Sequence, residues 1–196
     1  FKLESAPVAG FISLTKGPST SVRFVDRATG HIFDAKLPTG EKVRLTNNTL
    51  PQIYEAYFRP DGLTVLMRSL DEGDVVKNMS LALSAPKASS TDGLYAVSMT
   101  LLRGELNNIS VGTGDTIIYT LKDSAVASSK FNGDTVKTLW NGPFTTWRTG
   151  VLGSGVLLTT KASISLPGYA YSLISGSLSK LVGPLNGLVA IANPGG

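Results

Sequence analysis

Short apolar runs broken by glycine-centred turns, at a spacing that nearly repeats, constrain this chain more than any other feature. Ile53 to Phe58 (IYEAYF) meets the turn Arg59-Pro60-Asp61-Gly62, and Leu63 to Ser69 (LTVLMRS) follows it. Both runs are too short for helices and rich in β-branched or aromatic residues, which predicts strands. In the connector, proline fixes φ near about −65°, aspartate bonds to nearby backbone N–H groups, and glycine accepts the left-handed conformation. The pattern returns where Asn107 to Asp115 (NNISVGTGD) precedes Thr116 to Lys122 (TIIYTLK). It returns again where Phe144 to Gly155 (FTTWRTGVLGSG) precedes Val156 to Ser163 (VLLTTKAS), and Leu188 to Gly196 (LVAIANPGG) falls where another strand is due. Gly17 to Gly62 is 45 residues, Gly62 to Gly114 is 52, and Gly114 to Gly155 and Gly155 to Gly196 are each 41.

A repeat of four-stranded units accounts for that spacing. The units span 7–48, 51–103, 104–142 and 143–183, with a further unit starting over 186–196. The polar, turn-rich stretch 84–93 (SAPKASSTDG) reads as an insertion that stretches the second unit. Helical crossovers have no room between the strands. The nearest approach to a helical pattern, Ser177 to Ile191, is broken by Gly183, Pro184 and Gly187.

The expected fold class is therefore all-β: four-stranded antiparallel sheets repeated as the blades of a β-propeller, open or partial at four units. A single small sheet has two apolar faces, and stacking successive sheets covers them. A sandwich or irregular barrel of the same hairpins is the competing arrangement. With 42% apolar and 16% charged residues, the composition is that of a folded chain rather than a disordered one.

These motifs resemble the TolB-type and WD40-like β-propeller repeats. There, a small "SPDG" turn leads into an apolar strand, then an aromatic strand, then a "tG" turn and a closing "lT" strand. YFRPDG with LTVLMRS matches the first half, and His31 to Thr46 (HIFDAKLPTGEKVRLT) matches the second. WRTGVLGSG, ISVGTGD and IANPGG look like worn copies of the turn, and the absence of a WD dipeptide favours the TolB-like variety. The resemblance implies binding and scaffolding more often than catalysis. It also implies a bacterial, periplasmic or cell-surface setting, with protein or envelope polymer as the partner.

Chemistry-bearing residues are scarce. His31 is the only histidine and there is no cysteine, which removes two-histidine metal motifs, thiolate zinc sites and disulfides. His31 opens a strand after a turn glycine and reads as a hydrogen-bonding residue. No G-x-S-x-G elbow occurs, and Gly112 to Asp115 has no following helix to cradle phosphate. No cofactor is expected. Asp26, Asp61, Asp92, Asp115 and Asp134 read as turn caps. Asp71, Glu72 and Asp74 in LDEGD form the best candidate metal loop, since hard cations take carboxylate oxygens. Tyr54, Tyr57, Phe58, Tyr119, Trp140, Tyr169 and Tyr171 mostly fill space between sheets. Trp147 and Arg148, with Tyr57 and Arg59, are the candidate binding residues, because aromatic and arginine side chains anchor interfaces.

Net charge is +4, and the basic residues are scattered rather than massed, so nucleic acid is not expected as a partner. No run reaches the length of a membrane helix. The chain has no initiator methionine, and we expect a segment of a longer protein in which missing blades or a second copy cover the open ends. A fragment of a propeller hydrolase, with acidic catalytic residues partly elsewhere, is the alternative. Asn47, Asn78 and Asn108 each open an N-x-S/T sequon, which matters only in a secretory pathway.

Overall fold

The computed structural model describes residues 2–71, 73, 75–86, 92–104, 106–121, 124–142 and 147–192. Sixteen strands and no helix occur among them, so no helix is long and apolar enough to cross a membrane. They form four antiparallel four-stranded sheets, each a meander in which sequential strands are neighbours. Two compact units result, residues 1–104 and 105–196, each holding two sheets.

In the first unit, β1 (Val8–Lys16), β2 (Ser19–Asp26), β3 (Ile32–Leu37) and β4 (Lys42–Arg44) make the first sheet. β5 (Ile53–Phe58), β6 (Thr64–Leu70), β7 (Val76–Ser84) and β8 (Ala96–Leu102) make the second. Alternation along the strands points Val25, Ile32, Ala56, Phe58, Val65, Met67, Met79 and Leu81 into one shared core, with Ile12 packed beside it. Full burial of an aliphatic side chain contributes ~1.5–3 kcal/mol, so this layer holds the two sheets together. β1 and β5 approach so closely that a Cβ on Gly10 would lie 2.0 Å from the carbonyl oxygen of Ala56.

The second unit repeats the plan. β9 (Asn107–Val111), β10 (Thr116–Thr120), β11 (Val126–Lys130) and β12 (Lys137–Trp140) form the third sheet. β13 (Trp147–Leu152), β14 (Gly155–Thr160), β15 (Pro167–Ile174) and β16 (Ser177–Asn186) form the fourth. Ile118, Val126, Trp147, Val156, Leu158 and Leu173 make the core between them. Here the first strands are joined by polar contacts: Ser110 Oγ donates to the carbonyl of Thr149 at 2.7 Å, and Thr149 Oγ1 donates to that of Asn108.

The turn glycines occupy matching places. Gly17, Gly62 and Gly114 lie in the hairpin between the first two strands of their sheets, all with left-handed φ. In the fourth sheet the matching residue is Gly153 (φ 53°), whereas Gly155 begins β14. The last spacing in the structure is thus 39 residues rather than 41. Gly196 lies outside the described residues, as do residues 87–91 of the expected insertion.

One boundary is corrected. β16 runs through Gly183 and Pro184 to Asn186, so the fourth unit does not stop at 183. An outer strand tolerates this because its proline faces no further ladder. Residues 187–192 form no strand, and 193–196 of the further unit expected over 186–196 lie outside the described residues. Instead, Leu188 lies over Gly168 and Ala192 over Gly150, both in the fourth sheet.

Candidate functional site

In the first unit, Arg23 on β2 is 5% exposed, and the register sets it opposite Asp34 on β3. Its Nε and Nη2 donate to the two carboxylate oxygens at 2.7 Å each, while Nη1 donates to the carbonyl of Gly62 at 2.8 Å. The guanidinium also lies 5.6 Å from the centre of the Tyr95 ring. Burial works against the Arg23 charge, but the bonds and charge of Asp34 outweigh it and raise its pKa. The first sheet is thereby fastened to the Arg59–Gly62 turn of the second. Arg59 itself is half-buried and closes the turn on Asp61, Nη2 to Oδ2 2.8 Å. Burial would raise the Asp61 carboxyl, yet Arg59 and the Leu63 N–H together hold it below its ordinary value.

Tyr57 belongs to a second polar row. Its hydroxyl donates to Glu55 Oε2 at 3.1 Å, and Arg68 Nη1 donates to the same oxygen at 2.6 Å. Arg68 Nε donates to Asn78 Oδ1 at 3.1 Å, and the guanidinium lies 5.3 Å from the ring centre of Tyr54. Burial, then the negative charge of Glu55 and the hydrogen bond to it, push the Tyr57 pKa up to about 12. The phenol therefore remains a proton donor to Glu55 at neutral pH. Asn78 is 1% exposed within this row, while Asn47 is exposed and Asn108 is half-buried with its amide on Thr120 Oγ1.

Tyr54 leads from that row into an open cleft of about 550 Å³, formed where the β2–β3 turn, the start of β5 and the β6–β7 turn meet. Arg27, Gln52, Ile53, Tyr54, Leu70 and Asp71 line it. Gln52 holds a left-handed backbone (φ 61°), a conformation uncommon for a residue with a side chain. Arg27 is exposed, and its guanidinium pairs with no carboxylate among the described residues. Burial raises the Tyr54 pKa. Of the candidate metal loop, Asp71 forms an ion pair with Lys77, and Glu72 and Asp74 lie outside the described residues. Among the described residues, no three His, Cys, Asp or Glu side chains gather as a metal site would need. His31 Nε2 lies 3.3 Å from Thr49 Oγ1, with no carboxylate partner among the described residues.

In the second unit the expected pair separates. Trp147 is 1% exposed, clasped edge-on by Trp140 at 5.6 Å and Tyr171 at 5.7 Å, so it is a core residue and not a surface anchor. The reason is elementary: consecutive side chains on a strand point to opposite faces. Arg148 therefore turns the other way, exposed, into a cleft of about 400 Å³ shared with Ser110, Leu157, Thr159 and residues 189–192.

Sequence reasoning missed Arg27, Gln52 and Arg23. Arg27 sits in DRATG and Gln52 directly before IYEAYF, where only turn signals were legible. The turn caps were legible: Asp26 accepts from Thr29, Asp61 from Leu63 and Asp92 from Leu94 through their carboxylates.

No protein-family profile matches the sequence, and no curated protein matches it. Among solved structures, a chain of a nidogen/laminin complex is 12% identical, with a TM-score of 0.47 over 81% of this chain and 57% of that one. A chain from an S. cerevisiae complex of Dbp5 bound to Nup159 and Gle1 is 14% identical, with a TM-score of 0.49 over 86% of this chain and 46% of that one. The chain thus spans about half the length of the solved chains it matches.

Proposed function

We propose that the chain is part of a β-propeller that works by binding, a non-enzymatic scaffold for a protein or cell-envelope polymer. The observation that carries this reading is the first unit's cleft. There the guanidinium of Arg27, which pairs with no carboxylate among the described residues, stands beside Tyr54 and Gln52. The more deeply buried arginines, Arg23 and Arg68, are both occupied by structural partners. An arginine beside a tyrosine suits an anionic or hydroxyl-rich partner, because guanidinium bonds carboxylates in pairs and the ring offers apolar area at low entropy cost. Arg148 in the second unit's cleft and Arg59 with Tyr57 in the first unit are further contact residues on this reading. On this reading, the TolB-like resemblance favours a periplasmic or cell-surface setting in a bacterium. Further blades or a second copy would then cover exposed apolar residues such as Phe11 on the first sheet and Leu185 on the fourth.

Titration calorimetry tests this with two probes, a hexaglutamate peptide and soluble envelope-glycan fragments. Binding of either, weakened at least tenfold by Arg27→Ala and by Tyr54→Ala with folding intact, is the expected result. Failure of both probes to bind, or binding indifferent to both substitutions, overturns the reading.

A further inference from the structure

Each sheet ends on an outer strand, β4, β8, β12 or β16, that is paired on one side only within its sheet. Such a strand offers a row of N–H and C=O groups to any extended chain, and proteins blunt it with short length, charge or proline. Three of the four are blunted. β4 has three residues, two of them Lys42 and Arg44, and β12 has four, including Lys137. β16 is long but carries Lys180 and Pro184.

β8 carries none of these devices. Its seven residues, AVSMTLL, contain no charge, proline or glycine, and five of them are exposed. Met99 is 53% exposed and Leu101 66%, on the same face of the sheet, opposite Leu81 and Met79 of β7. Among the described residues, residues 96–102 form backbone bonds to β7 only.

We propose that the outer edge of β8 is a self-association site, at which two copies pair antiparallel about a twofold axis through Met99. The strand complements itself. Met99 meets Met99, Val97 meets Leu101 and Ser98 meets Thr100, so no charge faces its like and the exposed apolar side chains cover one another. The flanks are opposite in sign: exposed Asp92 precedes the strand and exposed Arg103 follows it. Antiparallel pairing thus sets the basic flank of each copy towards the acidic flank of the other, with position 103 opposite position 95, where a parallel pairing would set like flanks together. An extended segment of a different protein is the competing occupant. The inference rests on the edge alone and stands apart from the clefts.

The absence of cysteine makes the test clean. In the twofold pairing the Cβ atoms of position 99 fall roughly 4.5–5.5 Å apart, close enough for a disulfide to form with small adjustment. Position 97 lies four residues out of register with itself, roughly 13 Å away. Mild oxidation should therefore cross-link Met99→Cys into dimers and leave Val97→Cys monomeric. Sedimentation velocity of the unaltered chain should show a concentration-dependent dimer. Met99→Lys should weaken that dimer at least tenfold with its circular dichroism unchanged, and Leu181→Lys on β16 should leave it intact. A wild-type chain that stays monomeric at its highest soluble concentration would overturn the proposal. So would an undiminished dimer in Met99→Lys, or equal cross-linking at 97 and 99. Protection of the β8 amides from exchange by a foreign extended peptide alone would assign the edge to the competing occupant.

Discussion

The bond set of Arg23 makes an unequal pair of substitutions the sharpest test of how the first unit is held. Removing one partner of a buried ion pair costs about 3–5 kcal/mol, chiefly because the other charge is left uncompensated. The two partners differ in exposure: the Arg23 side chain is 6% accessible and that of Asp34 22%. In Arg23→Met, the Asp34 carboxylate can regain water, and the main loss is the charged donor to Gly62. We expect about 2–3 kcal/mol. In Asp34→Ala, the guanidinium stays buried against the Gly62 carbonyl and Tyr95, with no carboxylate partner among the described residues. The full cost of about 3–5 kcal/mol then applies. The double variant should recover part of the second loss, because a buried cation no longer lacks its counter-charge.

Urea denaturation followed by far-UV circular dichroism measures all three. With a slope of about 2 kcal/mol per molar, Asp34→Ala should lower the midpoint by about 1.5–2.5 M, and Arg23→Met by about 1–1.5 M. The order matters more than the sizes. If Arg23→Met is the more damaging, the uncompensated-charge reasoning fails, and if either change costs less than about 1 kcal/mol, the pair behaves as an exposed surface contact.

Other outcomes follow from the same geometry. Trp147→Ala should cost about 3–5 kcal/mol as a core truncation, whereas Arg148→Ala should stay within about 0.5 kcal/mol; comparable losses at both would refute the assignment of opposite faces. Gly10→Val should cost at least about 1–3 kcal/mol, because the new Cβ falls 2.0 Å from the Ala56 carbonyl oxygen and two backbones must part. Tyr57 supplies a pH prediction. Its folded pKa of about 12 exceeds the phenol's ordinary value of 10.0, so its contribution is complete below pH 10 and disappears as pH rises towards 12. Chemical denaturation across that window should show a fall in stability that is shallower in Tyr57→Phe, and equal slopes would show that the phenol is not held by Glu55.

Most strands and the repeat were legible because each is written in local chemistry. Alternating apolar residues define a strand face, and a hairpin that needs φ > 0 calls for glycine, so Gly17, Gly62 and Gly114 mark the same hairpin in three sheets. What failed required register. Arg23 and Asp34 are eleven residues apart and meet only because β2 and β3 align as they do. Trp147 and Arg148 look like one aromatic-cationic anchor in the sequence and belong to opposite faces in the sheet. The clefts are assembled from turns distant in the chain, so Arg27 and Tyr54 carry no shared local signal. The boundary at 183 failed because an outer strand can continue through Pro184.

A side chain that appears once in a repeating architecture is easily taken for a functional one, and the two units show why that inference fails unaided. Both must fasten neighbouring sheets, and they do it with unrelated chemistry. The first unit uses a close backbone approach at Gly10 and the Arg23 bonds, and the second uses the hydroxyls of Ser110 and Thr149. Uniqueness therefore measures freedom of solution as much as function. Only after the residues that fasten sheets are set aside does a remainder appear that stability does not explain. It comprises Arg27 beside Tyr54, with no carboxylate partner among the described residues, an exposed Arg148 in its cleft, and one outer strand without charge or proline. Those positions can change at little cost to the fold, which is why substitutions there report on binding rather than on folding.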